Sequence, residues 1–179
     1  MIIMKKLKNV ALMFIVGAFF CGCAAIEDAL NINLIDDNPR YQISLHSIIT
    51  YPRGNEIEEE LDNFKGEKIV VNANSFLDSS KIFDAELIPL EDNPGYYDIH
   101  LKLNDTGVKQ WFQLVLDYRD YPVAIVIDGA YFGRFRPDGG HTEDTQWVTL
   151  KGPFNELIAR GIVKYARRNY RHYHPTSTF

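Results

Sequence analysis

The stretch YDIHLKLNDTGVKQWFQLVLDYRDYPVAIVIDGAYFGRF, residues 97–135, sets the fold. From Tyr97 to Leu103 apolar and polar side chains alternate strictly, the period of a strand with one buried and one wet face. Asn104-Asp105 then offers a side-chain acceptor to the unpaired N–H groups of a helix start. Behind it Val108, Trp111, Phe112 and Val115 follow the 3, 1, 3 spacing of one helical face. Pro122 to Ile127 is apolar without alternation, as a central strand buried on both faces requires. Asp128-Gly129 is a hairpin turn signal that returns the chain through Tyr131 to Phe135. An acid at the end of a central strand also invites a catalytic reading, but the turn accounts for both residues without chemistry.

Outward toward the C-terminus, a polar loop from Arg136 to Gln146 leads to a last strand, Trp147 to Leu150. Gly152-Pro153 precedes a final helix from Asn155, its cap, to about Arg171. At 100° per residue, Arg160, Lys164, Arg167, Arg168 and Arg171 fall within an arc of about 100°. Ile158, Ile162, Tyr165 and Ala166 lie opposite and face the sheet. Two explanations of this basic stripe stand side by side: a solvated face whose charges suit a helix C-terminus, or a docking surface for an anionic partner. Tyr165, Tyr170 and Tyr173 add amphipathic contact area beside it.

Outward toward the N-terminus, Leu77-Asp78-Ser79-Ser80 reads as a cap before a short helix through Leu87, and Ile69 to Val71 as a strand. Ile57, Leu61 and Phe64 share a helical face over residues 56–64, closed by Lys65-Gly66. Tyr41 to Ile48 alternates like a half-buried strand. Interspersed strands and helices with a hairpin among them give an α+β class, with helices on one face of a mainly antiparallel sheet.

The first residues have another logic. Lys5, Lys6 and Lys8 precede an apolar run from Val10 to Phe20, followed by Gly22-Cys23-Ala24-Ala25. Charge, grease and small residue in that order form a secretory signal. The run is too short for the roughly 20 residues of a membrane-crossing helix. The cysteine after a small residue resembles a bacterial lipoprotein signal, with Phe20 where such signals usually carry Leu. The resemblance implies cleavage before Cys23, a diacylglycerol on its thiol and an acylated amino group. It divides the chain into a signal peptide (1–22), a lipidated Cys23 with a tether (23–40), one domain (41–174) and a tail (175–179). Ala24 and Ala25 lack the aspartate that retains enteric-type lipoproteins at the inner membrane, which points to the outer one.

After such cleavage 16 basic and 24 acidic residues remain, a net charge of −8. A domain this acidic is poorly suited to general nucleic-acid binding, which needs a basic surface. Cys21 and Cys23 are the only cysteines, so the domain has no internal disulfide and no thiol catalysis. Neither a nucleophile elbow, a phosphate loop nor a His-Glu-x-x-His pattern occurs. Asp138, His141, Glu143 and Asp144 gather oxygen and imidazole donors in one loop, though not at EF-hand spacing. His172 and His174 are too few to close a metal site. The expectation is a protein without catalytic residues, metal or cofactor. A small metal-dependent envelope enzyme built on residues 138–144 is the alternative.

Four phrases in order, LDSSKIFDAEL (77–87), IHLKLNDTGVKQWFQL (99–114), VAIVIDGAYFGRF (123–135) and VTLKGPFNELIARGIVKYA (148–166), resemble the head subdomain of the first periplasmic region of SecD. The resemblance covers about half of the chain and implies a ferredoxin-like sheet with helices, and contact with other polypeptides. SecD couples its head to the proton gradient through several membrane helices, so motor activity does not transfer. The sequence therefore predicts a lipid-anchored envelope protein acting as a binding or scaffold module. Its partner is an envelope protein or anionic envelope component meeting Arg160, Lys164, Arg167, Arg168 and Arg171.

Overall fold

The computed structural model describes residues 38–62, 66, 68–137 and 146–175. Among the described residues nine strands and two helices follow in the order β1 (Ile43–Ser47), β2 (Glu58–Asp62), β3 (Lys68–Asn72), β4 (Leu77–Asp78), β5 (Ile82–Pro89), β6 (Tyr96–Leu103), α1 (Asp105–Tyr118), β7 (Val123–Ile127), β8 (Ala130–Phe135), β9 (Trp147–Asn155) and α2 (Glu156–Tyr173). All pairings between these strands are antiparallel, and the class is α+β. The strands are divided among three sheets, ordered β4-β1-β7-β8, β2-β3 and β5-β6-β9.

The opening stretch folds as its pattern dictates. β6 buries Ile99, Leu101 and Leu103 and leaves the residues between them part-exposed. The Asn104 side chain accepts from Gly107 N at 2.8 Å and so caps α1. Trp111 and Leu114 are the apolar residues α1 buries most deeply, whereas Phe112, expected on the inner face, is 37% exposed. Asp128 and Gly129 both take positive φ, +49° and +79°, as a tight hairpin between right-twisted strands demands.

Every residue of β7 is buried, and its two faces enter different cores. Val123, Ile125 and Ile127 join Ile99, Leu101, Leu150, Phe154 and the inner faces of both helices. Ala124 and Val126 pack with Leu61, Val71 and Tyr131. The β2–β3 hairpin therefore covers the second face of β7. Both cores lie between Ile43 and Ala166, and residues 38–179 form one compact unit. A chain beginning at Asn38 retains every buried side chain of the described residues and one complete compact unit, which is what independent folding requires.

Three segments depart from the sequence expectation. Within the span expected as a helix, residues 56–64, Glu58–Asp62 form strand β2, with Leu61 paired to Ile69 and Ile57 left 50% exposed. Its spacing fits a helix, but the apolar face of β7 needs a sheet-like cover, and tertiary packing overrides local pattern. The cap at Asp78 is real, since its Oδ1 accepts from Ser80 N at 2.7 Å. It opens only one 3-10 turn, Ser79–Lys81, before the chain extends into β5. A bulge between Ile82 and Asp84 turns Ile82 and Ala85 to the same side, so a strand imitates helical spacing. The last strand runs on to Asn155 instead of ending at Leu150. It accommodates Pro153 by a bulge opposite Asp98, whose carboxylate accepts from Gly152 N at 2.6 Å.

Candidate functional site

The site expected from sequence is the outer face of α2. Asn155 caps the helix by accepting from Ile158 N at 3.0 Å. Glu156 in the first turn and Arg171 and His172 in the last complement the helix dipole. Ala159, Gly161, Ile162, Ala166 and Asn169 are buried, which fixes the inner face. Gly161 is required by packing: a Cβ there would stand 2.4 Å from the Tyr41 ring. Tyr41 in turn stacks on Tyr165 with ring centres 5.8 Å apart.

The five predicted cations therefore all point away from the core, but they are not equivalent. Arg160 donates from Nε to Glu156 Oε1 at 2.8 Å, one helical turn back. Arg167 donates to the Asp84 carboxylate on β5. Hydrogen bonds to these carboxylates, and then their charge, raise both guanidinium pKa values further above the ordinary range. Lys164 and Arg168 lie 6.0 and 5.9 Å from the centre of the Tyr165 ring. Arg171 is exposed and has no ion-pair partner among the described residues. Lys164, Arg168 and Arg171 thus remain the outward charge, within an arc of about 60°. Leu157, 72% exposed, falls in the same arc, so the face mixes three cations with one apolar side chain.

Other candidates resolve differently. The Asp128 carboxylate accepts from the backbone N–H groups of Tyr41 and Gln42 at 2.9 and 2.8 Å and pins the start of β1 to the β7–β8 turn. His172 is exposed, edge-on to Tyr173, and the His174 ring donates from Nδ1 to Tyr170 O at 3.0 Å. No group of three or more metal-ligating side chains occurs among the described residues. Cys23 and the loop 138–144 lie outside the described residues.

No family model and no curated protein sequence matches the chain. Solved structures do. The domain is similar to a chain of SecDF in its super-membrane-facing form, at 15% identity, covering 73% of this chain and 19% of that one, with a TM-score of 0.51. The fold is SecD-head-like. Two further SecDF chains align. One is a membrane component that enhances protein export, at 16% identity, covering 73% and 63%, with a TM-score of 0.49. The other is a translocon-associated membrane protein from Thermus thermophilus, at 10%, 75% and 30%, with a TM-score of 0.37. The chain spans less than two thirds of each of them. Among the described residues no helix is long and apolar enough to cross a membrane.

Sequence reasoning missed Asn169. It is 1% exposed, accepting from Arg40 N at 3.2 Å and donating from Nδ2 to Arg40 O at 2.8 Å. A lone Asn in a basic helix gives no sequence signal, because its partner lies 129 residues away. A second group of cations, spread from Arg119 to Lys151, was equally invisible because three separate elements bring it together.

Proposed function

We propose that this protein is held to an envelope membrane through lipidated Cys23 and acts by binding, as a non-catalytic accessory module. The outer face of α2 docks an acidic patch on another envelope protein. The observation that carries this reading is the division of α2: one side closes the core while the other presents Lys164, Arg171 and Leu157 to solvent beside a half-buried Arg168. Charge complementarity at such a face sets partner choice and encounter rate more than affinity, which suits an accessory contact. The SecD-head-like fold, shared with a SecDF chain at a TM-score of 0.51, supports an accessory role beside protein export. Carriage to the outer membrane follows from Ala24 and Ala25 after the cysteine.

Two measurements test this in producing cells. Radiolabelled fatty acid should enter the wild-type chain and not Cys23→Ser. A photo-crosslinker at Leu157 should capture a defined partner, and Lys164→Glu with Arg168→Glu and Arg171→Glu should abolish that capture without lowering the melting temperature. Reversing Arg160 or Arg167 is a poorer test, because each would set a new carboxylate against Glu156 or Asp84. Undiminished crosslinking in the triple variant sinks the docking role of α2.

A further inference from the structure

A cleft of about 610 Å³ opens past the end of α1, beside β8 and β9, the edge strands of two different sheets. Arg119 and Asp120 reach it from the end of α1, Arg134 and Arg136 from β8 and the residue after it, and Lys151 from β9. Four cations and one carboxylate thus line one concavity of a chain whose net charge is −5. Arg119, Arg134 and Arg136 are exposed and have no ion-pair partner among the described residues. A concave wall of one sign focuses the field on an anion. Guanidinium forks match the paired oxygens of a phosphate.

Exposed apolar side chains neighbour the cleft. Arg119 keeps helical dihedrals, φ −50° and ψ −41°, so the periodicity of α1 runs through it. Phe112, Leu116 and Arg119 stand at i, i+4 and i+7, within an arc of about 60°. Leu116 is 76% exposed, Tyr121 65% and Phe112 37%. Cations beside exposed apolar and aromatic side chains are the pattern of a surface lying at a bilayer interface.

We infer that the cleft of Arg119, Arg134, Arg136 and Lys151 seats the phosphate of an anionic lipid headgroup, with Leu116 and Tyr121 entering the bilayer surface beside it. A soluble phosphate compound would satisfy the cations but leave the apolar ridge without a role. The inference rests on the proposed anchoring: the tether from Ala24 to Arg40 reaches at most about 60 Å, which keeps the cleft within range of the membrane.

The test uses the chain from Asn38 to Phe179, which lacks residue 23, so its outcome is independent of the fatty-acid labelling of Cys23. Vesicles of phosphatidylcholine mixed with phosphatidylglycerol should sediment the chain, and vesicles of phosphatidylcholine alone should not. Neutralising Arg119, Arg134 and Arg136 to Gln should weaken that binding about a hundredfold, since each cation near an anionic surface contributes roughly fivefold. Leu116→Ser should weaken it further with the melting temperature unchanged. Lys164→Gln with Arg168→Gln and Arg171→Gln should leave it as it was. Binding that survives the cleft triple, or vanishes with the α2 triple, overturns the assignment. Pyrophosphate bound without vesicle binding gives the cleft to a soluble phosphate, and polyglutamate bound in preference to vesicles gives it to an acidic polypeptide. Each of these outcomes overturns the lipid.

Discussion

Asn169→Ala tests how the entry of the chain is fastened to α2. The side chain makes two hydrogen bonds to the Arg40 backbone and is 1% exposed. Each such bond contributes about 1 kcal/mol net, and both are lost together, giving about 2 kcal/mol. Water can reach Arg40, which is exposed, so the freed backbone groups add no large burial penalty. Unfolding entropy of about 2.1 cal/mol/K per residue over roughly 140 residues is about 0.3 kcal/mol/K, so the melting temperature should fall by about 7 °C. The damage has an address as well as a size. Trypsin should cut after Arg40 faster in the variant at temperatures where the rest of the domain stays folded, because the clamp protects that bond locally. Thermal unfolding and timed proteolysis read the two effects separately. A melting temperature within about 1 °C of the parent would refute the energetic argument. A full loss of stability with unchanged cleavage after Arg40 would refute the clamp.

Three further perturbations probe the core and its edges. Phe154→Ala removes a fully buried ring that stacks on Phe132 at 4.9 Å, and denaturant melts should show a loss of about 3–5 kcal/mol. A loss below about 1 kcal/mol would mean that Phe154 is not central to the packing. Gly161→Ala forces a Cβ against the Tyr41 ring and should cost about 1–3 kcal/mol, most of it recovered when Tyr41→Ala is added; a double-variant cycle without coupling contradicts the contact. Burial, and then the Asp78 carboxylate, raise the Tyr173 phenol above its ordinary 10.0. The unfolded chain therefore releases this proton first. The contribution is fully present below about pH 10 and is lost as pH rises through the folded value. Urea midpoints across that range should fall less steeply for Tyr173→Phe, and identical slopes would remove the argument.

What the sequence revealed depended on whether neighbours in the chain or neighbours in space set the structure. Asn104, Asn155 and Asp128-Gly129 were legible because each bonds or turns within three residues. The apolar run of β7 even announced two covering layers. It could not say that residues 58–72 supply one of them, because that choice is made by the fit of a hairpin against Ala124 and Val126. β5 was misread for a mechanical reason: a bulge breaks the period of two that identifies a strand. The basic stripe shows the same division. Its angular placement follows from helix geometry, and the Glu156–Arg160 pair is visible at i, i+4. The Arg167–Asp84 pair joins residues 83 apart and exists only because α2 packs on β5. Net charge misleads for the same reason. Attraction at a surface is decided within a Debye length of about 8 Å, and over that distance α2 and the cleft of Arg119 are cationic islands on an acidic protein. A partner reads the local field, so an acidic chain can carry both of the proposed docking surfaces.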